Sequence, residues 1–168
     1  MAVAYIALGS NLGDRAQTLS FAIDRLGRLG TVTATSSFYE TEPVGFQDQP
    51  PFMNAVVAVE TDLEPFDLLR GMLAVEREFG RDRNHSVLNG PRTLDLDLLV
   101  MGDCVVTGAE LTLPHPALPR RRFVLAPLAE VAPSLRHPLL KNTMAELLKG
   151  LPDEGENRVS AVRRLGFD

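Results

Sequence analysis

The sequence predicts an α+β fold, a ferredoxin-like βαββαβ core with additional short strands and C-terminal helices stacked in αβα layers. Three features point there. Several segments are rich in β-branched and aromatic residues or alternate apolar with polar, and between them lie two segments whose apolar residues recur every three or four positions. Proline- and glycine-rich breaks separate the two kinds of segment.

Residues 1–8 run as a buried strand into Gly9, Ser10, Asn11, Leu12 and Gly13, which supply turn residues, and Asp14 offers an N-cap. Leu19, Ala22, Ile23, Leu26 and Leu29 then keep helical spacing, so a helix is expected over about 14–29. Residues 31–39 are rich in threonine, valine and aromatics, which favour a second strand. The stretch 42–51 holds Pro43, Gly45, Pro50 and Pro51 and must be a long loop.

A third strand follows over 52–60, and Glu64-Pro65 opens a helix that places Leu68, Leu69, Met72, Leu73, Val75 and Phe79 inward before Gly80 stops it. Residues 81–91 are polar, partly basic and irregular, and 93–100 alternate as a fourth strand. Further short strands are expected near 104–106 and 110–113. A proline-rich run spans 113–119, and helices are expected near 120–130 and 142–149, the last covering the other sheet face.

The 168 residues, 45% hydrophobic and 23% charged, suit one domain over 1–168 with a real core. A net charge of −5 argues against a general nucleic-acid or anionic-membrane surface. Cys104 is the single cysteine, so no intramolecular disulfide and no cysteine-based zinc site can form. The first residues lack a basic leader and cleavage site, and no stretch approaches the ~20 apolar residues of a membrane span. A cytoplasmic monomer is expected.

The sharpest chemical feature is Asp95 and Asp97 set between Leu94, Leu96 and Leu98. Period-two alternation points both carboxylates to one face, roughly 7 Å apart, where they suit a cation such as Mg²⁺. Taken alone the pair reads more readily as a solvated strand face. Gly90, Pro91 and Arg92 lie just upstream, with Arg81, Arg83 and His85 in the same loop, and arginine forks beside metal carboxylates suit a polyphosphate.

Gly9-Ser10-Asn11 between strand and helix is a structural turn or a weak anion cradle. His115 between Pro114 and Pro116, followed by Arg120, Arg121 and Arg122, is either a second phosphate-facing surface or a solvated helix start. Phe52 and Asn54 share a strand face and would serve a flat heterocycle together, although core packing explains Phe52 as well, and Phe123 also reads as core.

Together the segments 5–14, 37–39, Gln49-Pro50 with Asn54, GPRTLDLDLL over 90–99, Leu113-Pro114-His115 and 123–128 resemble the hydroxymethyl-dihydropterin pyrophosphokinase family in order and spacing over about residues 3–135. The resemblance implies a ferredoxin-like core with loops near 9–14, 42–52 and 81–91 closing over ATP and 6-hydroxymethyl-7,8-dihydropterin. It implies two Mg²⁺ ions on Asp95 and Asp97, with Arg81 and Arg92 steadying the transferred group. It puts the pterin between Phe52 and Phe123, read by Asn54 and by backbone near Thr41 and Val44. Glu76, Leu98, Thr112, His115 and Arg121 match ATP-site positions. Leu88-Asn89, Glu110 and Pro116 depart from residues common in the family. A nucleotidyltransferase built on the same acids, or a metal-free binding module of this fold, are the competing readings.

Overall fold

The computed structural model describes residues 1–42, 50–80 and 93–166. Its centre is a six-stranded sheet in which every pairing is antiparallel: β5 (Asp95–Met101), β1 (Ala2–Ser10), β4 (Phe52–Thr61), β3 (Tyr39–Thr41) and β8 (Val162–Arg164) in spatial order, with β2 (Thr31–Thr35) pairing the other half of β4. The order β5-β1-β4-β2 is that of the ferredoxin-like core the sequence predicts.

Helices α1 (Arg15–Leu26) and α2 (Pro65–Glu78) cover one face. The Asp14 carboxylate starts α1 by accepting from Gln17 N at 3.1 Å, and Pro65 starts α2, where its missing N–H would have had no helical partner. Leu19, Ala22, Leu26, Leu68 and Met72 from these helices meet Ala4, Ile6, Leu8, Val57, Val59, Leu96 and Leu98 from the sheet. On the opposite face α3 (Arg122–Val131) and α4 (Met144–Lys149) pack Leu125, Leu128 and Met144 against Val56, Leu99 and Val100. Thr143 and Glu146 close a reciprocal capping box at the start of α4.

Several boundaries differ from the sequence reading. β1 runs through Gly9 and Ser10, which pair with Asn54 and Met53, so both belong to the sheet and the turn begins after Ser10. The expected second strand is broken in two: the Ser36 hydroxyl donates to Ser37 O at 2.7 Å and accepts from Val56 N at 2.9 Å, replacing a ladder bond and separating β2 from β3. The fourth strand begins at Asp95 rather than Thr93. The short strands lie at Val106–Thr107 and Thr112–Leu113, forming their own hairpin as β6 and β7. β8, near the C-terminus, is an element the sequence did not suggest. Among the described residues no helix is long and apolar enough to cross a membrane.

Candidate active site

Strand register brings distant residues into line. Asp95 pairs with Gly9, Gly9 with Asn54, and Asn54 with Tyr39, a row across four strands. Asp97, Ala7 and Val56 form the next row, and Thr41 pairs with Phe52 beyond the first. Directly paired residues share a face, so Asp95, Asp97, Ala7, Gly9, Asn54, Phe52 and Thr41 all belong to the face carrying α3. They sit where α3 begins, and Arg121, Phe123 and Val124 form the facing wall of a cleft of about 100 Å³.

The cleft floor exists because two sheet residues are small. A Cβ on Gly9 would stand 3.1 Å from Asn54 Nδ2 and 3.9 Å from Phe52 Cδ1, filling the space those side chains border. Ala7 keeps the adjoining position low, so the cleft runs from the carboxylates on β5 to the aromatic and amide groups on β4.

The amide end holds unsatisfied polar atoms. Among the described residues, Asn54 Oδ1 and Thr41 Oγ1 are buried without a hydrogen-bond partner, and Thr41 is only 4% exposed. Buried polar atoms are nearly always paired, and two orphans lining one cleft mark a place for a polar ligand. Ser10 Oγ is a third such atom, outside the cleft lining.

The facing wall is held from behind. The Arg121 guanidinium lies 5.6 Å from the centroid of the Phe123 ring, a cation–π contact that joins the wall's cation to its aromatic. Asn157 brackets it: Arg122 N donates to Asn157 Oδ1 at 2.9 Å and Asn157 Nδ2 donates to Arg120 O at 2.8 Å. Arg122 also donates through Nε to Asn157 O at 2.8 Å, so of the three consecutive arginines it is Arg121 that lines the cleft.

His115 N donates to Leu99 O at 2.8 Å, docking the proline-rich run on β5, and its Nδ1 accepts from Ala117 N at 3.1 Å. A ring nitrogen that accepts a backbone N–H carries no proton, so the neutral imidazole has its proton on Nε2. Burial holds the His115 pKa below the ordinary 6.5; the Arg121 and Arg120 charges push the same way and Asp95 opposes them. This histidine is therefore electrostatically coupled to both walls of the cleft.

The remaining expected residues are scattered. Glu76, 2% exposed on α2, accepts from Leu96 N at 2.7 Å and so anchors the backbone between the two aspartates from the opposite face. The Leu98 side chain is core on the α1/α2 side. Thr112 lies on β7 and donates to Gly108 O at 3.3 Å. Neither these three nor His115 lines the cleft. Val44, Arg81, Arg83, His85, Leu88, Asn89 and Arg92 lie outside the described residues.

Sequence reasoning did not single out Ala7, Glu42 or Asn157. The alternation of small residues at Ala7 and Gly9 was a usable signal for a cavity floor. Asn157 gave none, since its partners are 35 and 37 residues away.

Residues 5–133 match the family described as 7,8-dihydro-6-hydroxymethylpterin-pyrophosphokinase (HPPK). The chain is 48% identical over 131 residues to 2-amino-4-hydroxy-6-hydroxymethyldihydropteridine pyrophosphokinase of Bacillus subtilis, covering 77% of each protein. It is 43% identical over 157 residues to the protein of the same name from Pseudomonas aeruginosa, covering 92% of this chain and 95% of the relative. With folic acid synthesis protein fol1 of Schizosaccharomyces pombe it is 39% identical over 155 residues, 91% of this chain but 21% of that much longer protein. In fold it is similar to the crystal structure of Plasmodium falciparum HPPK-DHPS wild type with pterin and p-hydroxybenzoate, with a TM-score of 0.75, 17% identity, and coverage of 97% of this chain and 45% of the other.

Proposed function

Because the chain belongs to the 7,8-dihydro-6-hydroxymethylpterin-pyrophosphokinase family, we propose that it transfers pyrophosphate from ATP to 6-hydroxymethyl-7,8-dihydropterin, giving AMP and the pterin diphosphate in folate biosynthesis. The observation that carries this reading is the row Asp95, Gly9, Asn54, which spans one cleft from an acidic end to an amide and aromatic end. A polyphosphate with its cation suits the first, and a flat heterocycle with hydrogen-bonding edges suits the second.

In this reading the pterin lies between Phe52 and Phe123. Asn54 and Thr41 read its edge, and their orphaned oxygens gain partners when it binds. Val44 would contribute from the neighbouring loop. The hydroxymethyl oxygen attacks the β-phosphorus of ATP, the bond from that phosphorus to the α,β-bridging oxygen breaks, and AMP leaves while the hydroxyl proton is released. The chain's part is positioning and electrostatics.

Asp95 and Asp97 would hold magnesium. Both line the cleft, and their donor set fits: magnesium takes one or two carboxylates and completes its shell with phosphate oxygens and water. Two ions would neutralise phosphate charge and order the oxygens for in-line transfer. Neutral His115, with its proton on Nε2, and Arg121 would donate to ATP phosphates. Glu76 would hold the backbone between the carboxylates, with Leu98 and Thr112 on the nucleoside side. Arg81 and Arg92 would steady the group in flight. Every contact invoked is available within one copy, so this reading calls on no partner subunit; a cytoplasmic monomer is part of the same proposal.

The test incubates the protein with ATP, magnesium and 6-hydroxymethyl-7,8-dihydropterin and measures AMP and pterin diphosphate. Equal yields are expected. Asp95→Ala and Asp97→Ala should each lower kcat by about a thousandfold with unchanged circular dichroism, since a cation worth several kcal/mol of charge stabilisation loses a ligand. Release of free pyrophosphate would instead indicate nucleotidyl transfer, and absence of turnover a binding module.

A further inference from the structure

Arg15 opens α1 on the face away from the cleft, yet its guanidinium links β3 to the residue that leads into β4, the two strands that form the cleft's amide end. Nη1 donates to Pro51 O at 2.7 Å and Nη2 to Glu40 Oε2 at 3.1 Å. The second Glu40 oxygen accepts from Arg163 on β8. Paired with two arginines, the Glu40 carboxyl is held below its ordinary range, the Arg15 hydrogen bond being the largest cause.

Each contact is one residue from a cleft residue. Glu40 precedes Thr41 on β3 and Pro51 precedes Phe52 on β4, and Thr41 and Phe52 are the terminal rung of that ladder. Strand alternation turns Glu40 to the α1 face while Thr41 points to the cleft. Asn11 Nδ2 adds a neighbouring tie to Pro50 O at 3.2 Å.

We propose that Arg15 is a positioning residue for recognition of the pterin, holding Thr41 and Phe52 at the separation the ring requires without touching the substrate. This rests on the functional reading above. β3 is only three residues long and ends at the cleft, so its register on β4 needs a lateral tie. A planar guanidinium can engage a carboxylate and a carbonyl on two strands at once, whereas an ammonium on a flexible stem fits such a fork less well. The acidic end of the cleft, on β5, makes no contact with Arg15 in the hydrogen bonds described, so the effect should fall on one substrate.

Arg15→Ala and Arg15→Lys would be compared with wild type by steady-state kinetics for both substrates and by calorimetric titration with 6-hydroxymethylpterin in the presence of magnesium and a non-cleavable α,β-methylene ATP analogue. The expected result is a rise of about tenfold in pterin KM and Kd for Arg15→Ala and a smaller rise for Arg15→Lys, with ATP KM and analogue Kd within about twofold of wild type. Unchanged pterin constants, or pterin and ATP constants that rise together, would overturn the assignment. Wild-type protein that binds the analogue and not the pterin would overturn the functional reading itself, an outcome distinct from wild-type binding that Arg15→Ala leaves intact.

Discussion

His115 shows how a side chain's chemistry depends on partners far from it in sequence. Its flanking prolines marked it, but its protonation follows from the Ala117 N–H on Nδ1, from burial, and from the charges of Arg121, Arg120 and Asp95. With the native pKa below 6.5, the unfolded chain takes up the proton first on acidification. The stabilisation is fully present above 6.5 and is lost as pH falls from 6.5 through the lower native value. In metal-free protein, the His115 ring should titrate below 6.5 by NMR; Arg121→Ala should raise the midpoint, and Asp95→Asn, which removes an opposing charge, should lower it. A wild-type midpoint at or above 6.5 would contradict this. That Asp95 and Asp97 share one strand face was, by contrast, legible from sequence, because two-residue alternation is a local property that no distant partner has to supply.

At the scale of elements, the start of α3 has no side-chain N-cap of its own: Arg121 occupies the N-cap position and its side chain faces the cleft. Asn157 supplies the missing acceptor by taking the Arg122 N–H, and its amide nitrogen holds Arg120 O. Asn157→Ala removes both bonds and should cost about 1–2 kcal/mol, lowering Tm by roughly 3–6 °C. Asn157→Asp keeps the acceptor and should lose less. Thermal unfolding checks both, and equal losses would show that the Arg120 bond alone matters. The same dependence on distant partners explains which elements were readable. α1, α2, β1, β4 and β5 carry their own periodicity and terminal signals. β8 is three residues pairing with β3, and β3 itself is separated from β2 by the hydroxyl of Ser36, so neither depends on a pattern longer than a few positions.

Across the whole molecule, one sheet serves two helical layers, and β1, β4 and β5 contribute to both cores. Ile6 packs towards α1 and α2 while Tyr5 and Ala7 face the other side, and Val57 and Val56 divide in the same way. The cleft lies where the second layer begins, at the foot of α3, so layer and cleft should be lost together when α3 detaches. Two separate apolar faces on shared strands predict a single cooperative unfolding transition, because neither layer can leave without exposing a face of strands the other still needs. Leu19→Ala in the first core and Leu125→Ala in the second each empty a fully buried site and should destabilise by about 2–5 kcal/mol. In urea, far-ultraviolet circular dichroism and tyrosine fluorescence should report one midpoint in both variants, since Tyr5 and Tyr39 sit on the strands themselves. A second transition confined to Leu125→Ala would mean that α3 and α4 open as a unit on an intact sheet, and that the aromatic wall of the cleft is the less stable of its two sides.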